Sequence, residues 1–157
     1  MTAELTAEGV IELTIEKEFA YSPEQVFDAW LKPDQLMQWM GPTDEINVSS
    51  VEVNPIEGGS YHMEFNATDG EANKLNGVYK TIQRYTTLIF TWIWEPPTDG
   101  ANEETLVTLN FEPTQKGTKL TLLHQRFPSE ELRDRHNWGW TETLEKFERR
   151  AALLFDK

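Results

Sequence analysis

At 157 residues, with no cysteine and a formal net charge of −13, the chain has the length of one domain and excludes disulfides, thiolate metal sites and cysteine nucleophiles. The acidity argues against a nucleic-acid partner and against an anionic membrane surface, because both are bound chiefly through basic side chains. Six tryptophans, eight phenylalanines and four tyrosines imply a bulky interior, since each packed ring buries about 150–250 Å².

The opening Met1-Thr2-Ala3-Glu4-Leu5 has neither a positive n-region nor an apolar h-region, and no run of about 18 apolar residues follows. This reads as a cytoplasmic protein with no membrane insertion, its acidity serving solubility, and with residues 1–9 as an N-terminal tail. Residues Val10 to Phe19 alternate apolar and polar, the period of a strand with one buried face. A helix start follows in Ser22-Pro23-Glu24-Gln25: serine caps, proline takes the first helical position, glutamine completes a capping box. Val26, Phe27, Trp30 and Leu31 then form an apolar stripe at helical spacing. A second helix starts at Pro33-Asp34 and stops at Gly41-Pro42, where glycine accepts a left-handed conformation and proline forbids continuation.

From there strands are predicted over Ile46–Val53, Ser60–Asn66, Asn76–Gln83, Leu88–Trp94, Thr105–Glu112 and Thr118–Arg126. Turns at Glu57-Gly58-Gly59, Thr68-Asp69-Gly70, Thr98-Asp99-Gly100 and Lys116-Gly117 separate several of them. Pro128-Ser129-Glu130-Glu131 opens a last helix, in which Leu132, His136, Trp140, Leu144, Phe147, Ala151 and Leu154 fall on one face. Gly139 and the polar Arg133-Asp134-Arg135 leave a break before Trp140 open. No repeat or linker divides the chain, so residues 1–157 read as a single domain.

Several strings, in this order, resemble the START-like (SRPBCC) superfamily, and within it the activator homologues of heat-shock-protein ATPase. They are Pro23-Glu24-Gln25-Val26-Phe27-Asp28-Ala29-Trp30, Gln38-Trp39-Met40-Gly41-Pro42, Gly58-Gly59-Ser60-Tyr61, Gly77-Val78-Tyr79, Leu88-Ile89-Phe90-Thr91-Trp92, Gly117-Thr118-Lys119-Leu120-Thr121-Leu122, and His136-Asn137-Trp138-Gly139-Trp140 with Leu144. The resemblance covers nearly the whole chain from Leu13. It implies an α+β helix-grip fold: a curved antiparallel sheet of about seven strands wrapped on the long C-terminal helix, two short helices after strand one, and a cavity between sheet and helix. Met40 departs from the pattern, since relatives commonly show a second tryptophan after Trp39; the expected effect is on the shape of the cavity mouth.

Strand parity groups Tyr61, Met63 and Phe65, then Leu88, Phe90, Trp92 and Trp94, then Leu120, Leu122 and His124. It does not choose which face is concave. Such rings can interlock into a solid core, the default for a protein interior, or line a pocket, and the resemblance favours the pocket.

His124, in an apolar register, and His136 with Asn137 beside Trp140 are candidates to orient a ligand or to move protons, against the plainer reading of locally satisfied histidines. His62-Met63-Glu64 has the His-x-Glu spacing of zinc deaminases, but without their cysteine pair it reads as the solvent side of a strand. The three histidines show no helical i, i+4 pairing around a glutamate, so no metal is assigned. Gly-x-Ser-x-Gly is lacking, and the pairs Glu103-Glu104 and Glu130-Glu131 read as solvated, the latter suiting a helix N-terminus.

The leading expectation is a hydrophobic or aromatic small molecule, held without cofactor between helix and sheet by Trp39, Met63, Phe65, Trp92, Leu122, His124 and Trp140. The alternative is an enzyme of cyclase or hydrolase type acting on such a ligand, with His124 as its candidate group, although no catalytic residue is assigned. Third comes a chaperone ATPase co-regulator, disfavoured because relatives in that role carry a further chaperone-binding domain and only residues 1–9 precede the first strand. A homodimer stays open.

Overall fold

The computed structural model describes residues 11–66, 72–98 and 100–155. In chain order it contains β1 (Leu13–Phe19), α1 (Pro23–Asp28), α2 (Pro33–Trp39), β2 (Val48–Val53), β3 (Ser60–Asn66), β4 (Ala72–Gln83), β5 (Thr87–Trp94), β6 (Thr105–Pro113), β7 (Thr118–Gln125) and α3 (Glu130–Phe155). The seven strands form one curved sheet in the order β1-β7-β6-β5-β4-β3-β2, every neighbouring pair antiparallel. This is the α+β helix-grip architecture that the family resemblance implied, with α3 against the concave face. The expected N-terminal tail, the Thr68-Asp69-Gly70 turn and Asp99 lie outside the described residues.

Local chemistry sets the early helices. Ser22 and Gln25 form the predicted capping box: the Gln25 N–H donates to Ser22 Oγ at 3.2 Å and the Ser22 N–H to Gln25 Oε1 at 3.1 Å. Helix α2 ends at Gly41, whose φ of +108° and whose contact with the Ile46 carbonyl leave no room for a Cβ. Helix α3 runs 26 residues without a break at Gly139, its start capped by Ser129 Oγ accepting from the Leu132 N–H at 3.1 Å.

Strand limits differ from the periodicity where pairing overrides it. Strand β4 begins four residues before Asn76, because Asn73 and Leu75 pair with Phe65 and Met63. Strand β2 begins only at Val48, since the Ile46 N–H is already taken by Thr43 Oγ1 at 2.9 Å. Strand β1 begins at Leu13, which pairs with His124 at the end of β7. Register shifts between Val48 and Ser50 and between Tyr79 and Thr81 mark irregularities in the ladder, of the kind that bends a strand. At Gly77 the Tyr61 ring lies across the backbone, where a Cβ would come within 2.2 Å of it, and the Tyr61 hydroxyl donates to the Thr91 carbonyl at 2.6 Å.

The concave space is filled unevenly. Towards the C-terminal half of α3, Phe147 meets Phe19 at 5.0 Å and Trp39 at 4.7 Å, and Trp39 in turn meets Trp30 at 4.7 Å. Phe27 and Phe111 close the same end at 5.0 Å. Helices α1 and α2 thus supply the rings that make this end solid.

Candidate ligand cavity

Under the N-terminal half of α3 the packing is different. A cavity of about 690 Å³ opens between the helix, strands β3 to β5 and the segment after α2, within the size range of small-molecule sites. Phe65, Trp92 and Trp94 form its sheet wall, while Leu132, His136, Trp140 and Thr143 form its helix wall. Gly139 lies on that wall too, and a Cβ built there would meet nothing within 4 Å. Trp138 lines the mouth and is 52 % exposed.

The sheet-side rings are set at steep angles. Trp92 and Trp94 stand 5.7 Å apart at 88°, Trp92 and Trp140 4.9 Å apart at 50°, and Phe65 and Trp94 5.4 Å apart at 61°. Edge-to-face contacts of this kind hold aromatic walls in place.

Behind the wall a chain of hydrogen bonds fixes the histidines. Trp140 Nε1–H donates to His124 Nδ1 at 3.0 Å, His124 Nε2 lies 2.8 Å from Thr105 Oγ1, and that hydroxyl donates to the Trp92 carbonyl at 2.8 Å. Because the Thr105 proton is committed to Trp92, Nε2 carries the imidazole hydrogen and Nδ1 is the acceptor. A parallel arrangement holds His136, whose Nε2 accepts from Trp94 Nε1–H at 3.0 Å and whose Nδ1–H donates to the Leu132 carbonyl at 2.9 Å. Both rings are therefore neutral. Burial pushes the His124 pKa well below the usual histidine value, helped by nearby His136; burial also lowers that of His136, opposed by the Leu132 carbonyl and aided by Arg135.

One lip of the mouth is made by Met40, Pro42 and Ile46. Cations of α3 tie this segment down: buried Lys146 donates to the Thr43 carbonyl at 3.0 Å, and Arg150 to the Gln38 carbonyl at 3.1 Å and to Asp44 Oδ1 at 3.0 Å. Burial lowers the Lys146 pKa, with Arg150 adding to the effect, Asp44 opposing it and Arg149 adding slightly.

Of the residues singled out from the sequence, Phe65, Trp92 and Trp140 lie on the cavity wall. The other four are buried but not on it. Trp39 sits in the solid end, its Nε1–H donating to the Ala29 carbonyl at 3.1 Å. Met63 and Leu122 belong to the core, and His124 stands one hydrogen bond behind Trp140. Trp94 was legible by parity with Trp92, and Thr143 by its seven-residue step from His136. Of the lip, the resemblance had pointed to Met40 alone; Pro42 and Ile46 carried no periodic signal, because an irregular segment has no period. On the convex side His62 bonds Asn76 Oδ1 at 2.7 Å, Asn76 reaches Glu95, and Glu64 stands 3.5 Å from His62. Among the described residues no group of three histidine or acidic side chains is placed to hold a metal ion, and no helix is long and apolar enough to cross a membrane.

A long helix gripped by a seven-stranded antiparallel sheet, with a cavity under one end, defines a START-like (SRPBCC) domain. Residues 20–152 match the family model described as activator of Hsp90 ATPase homolog 1-like protein, and the chain belongs to that family. A crystal structure of a protein from Silicibacter pomeroyi, described as AHSA1, is 30% identical, covering 90% of this chain and 98% of that one at a TM-score of 0.78. A protein from Chromobacterium violaceum shares the fold at 21% identity, with coverage of 88% and 96% and a TM-score of 0.80. An AHSA1-like protein from Aeromonas hydrophila, solved in solution, does so at 19% identity, 92% and 95% coverage and a TM-score of 0.73. No curated protein sequence matches the chain.

Proposed function

We propose that this protein binds a hydrophobic small molecule in the cavity between α3 and the sheet. The observation that carries the reading is the uneven filling of the grip: rings interlock around Phe147, yet about 690 Å³ stays open beneath Trp140 and His136. Unfilled apolar space forfeits dispersion contacts, and a guest restores them while removing its own surface from water at about 25 cal/mol per Å². The histidines favour binding over proton transfer, because both nitrogens of each ring are already engaged.

Trp92, Trp94, Trp138 and Trp140 make the site its own reporter. In a screen of hydrophobic metabolites, ligands should shift the tryptophan emission and raise the melting temperature together, because a guest that binds only the folded state stabilises it. If no compound class moves either signal, the binding reading is lost.

A further inference from the structure

Resting on the reading of the cavity as a ligand site, we propose that it selects a hydrophobic organic cation, an alkylated ammonium group on an apolar body, over carboxylates and neutral molecules of the same shape. Four indole rings and the Phe65 ring share one cavity, and such faces attract a cation through their quadrupoles, tryptophan most of all. Steep angles between Trp92, Trp94 and Trp140 turn their walls towards one another as a corner rather than a flat stack.

The inventory of polar groups points the same way. An anion needs free N–H donors or an unpaired cation, and the walls offer few. Trp94 Nε1–H is spent on His136 and Trp140 Nε1–H on His124, while the Trp92 Nε1–H is buried without a hydrogen-bond partner. His136 has no hydrogen to give, its single ring proton going to the Leu132 carbonyl. Among the described residues no lysine lines the cavity, and the one lining arginine, Arg135, stands 3.8 Å from Glu131. Among the described residues the acidic lining side chains, Glu131 and Asp134, outnumber it two to one, although Asp134 is itself paired with Arg133 at 2.7 Å. Beyond the mouth, a chain charge of −13 raises the local concentration of cations and lowers that of anions.

The test uses three probes with one adamantane body: N,N,N-trimethyl-1-adamantylammonium, 1-adamantanol and 1-adamantanecarboxylate, titrated at pH 7.5 by tryptophan emission and calorimetry. The ammonium probe is expected to bind about tenfold tighter than the alcohol, as partly desolvated cation–π contacts allow, with the carboxylate weakest. Replacing Trp138, which is 52 % exposed, by leucine should reduce the ratio of ammonium to alcohol affinity several-fold. Equal affinity for alcohol and ammonium, tighter binding of the carboxylate, or a ratio unmoved by Trp138→Leu would each overturn the cation assignment. So would three silent probes in a protein that answers other hydrophobic compounds. A protein silent to these probes and to the whole metabolite screen would instead remove the cavity reading itself.

Discussion

Acidification should destabilise this protein through buried His124 and partly buried His136. In the denatured chain each imidazole titrates near its ordinary pKa of about 6.5, whereas in the fold His124 and His136 are held neutral below that value. Above pH 6.5 neither state is charged and the groups contribute no pH dependence. Below it the unfolded state takes up protons that the folded state refuses, so stability falls with pH, and continues to fall until the depressed folded values are reached. For a histidine that stays neutral throughout, the loss between pH 7.5 and 5.5 is about 1.4 kcal/mol, and the partly buried His136 adds to it in the same direction. His124, fully buried between Trp140 and Thr105, should deliver its whole share. Urea denaturation followed by circular dichroism at the two pH values measures the difference directly. His124→Asn lowers stability at both, but its pH dependence should shrink by about 1.4 kcal/mol; His136→Asn should shrink it in the same direction should the first variant fail to fold. A wild-type loss below about 1 kcal/mol, or variants keeping the full dependence, would refute the neutral-pair assignment.

Three further outcomes follow from the packing. Trp140→Phe keeps the ring in the wall but strips the donor from His124 Nδ1, and an unsatisfied buried acceptor costs about 1–3 kcal/mol in denaturant titrations. Gly77→Ala should destabilise by a similar amount, about 1–3 kcal/mol, because the new methyl collides with the Tyr61 ring and the Thr91 carbonyl; an unchanged melting temperature would contradict the close approach. Lys146→Met preserves the buried stem but releases the Thr43 carbonyl, and stopped-flow mixing with a cavity ligand should show faster association as the Met40–Ile46 lip loosens.

The solid end and the cavity show how the fold divides its labour along one helix. Leu144, Phe147 and Ala151 lock α3 into a core completed by α1 and α2, and this anchored half leaves the other free to be underpacked. Above the cavity α3 carries Gly139 and Thr143 where bulk would be needed to close it.

Much of this architecture is written locally. Alternation along β1, the capping box at Ser22, the stop at Gly41-Pro42 and the seven-position stripe of α3 each depend on neighbours within a few residues, so periodicity and capping chemistry suffice to place them. The same periodicity put Phe65 on one face with Tyr61 and Met63, Trp92 on one face with Phe90 and Trp94, and Trp140 on the apolar stripe of α3, without choosing which sheet face is concave. It had no means of separating Trp92, which meets the cavity, from Leu122, which meets only the core, since both satisfy the same alternation. That distinction depends on which rings α1 and α2 deliver to one end of the grip, and on residues as distant as Lys146 and Thr43 coming together to hold a lip. A side chain's face is a local property of the backbone. Whether that face meets another ring or open space is decided only by what the rest of the chain brings opposite it.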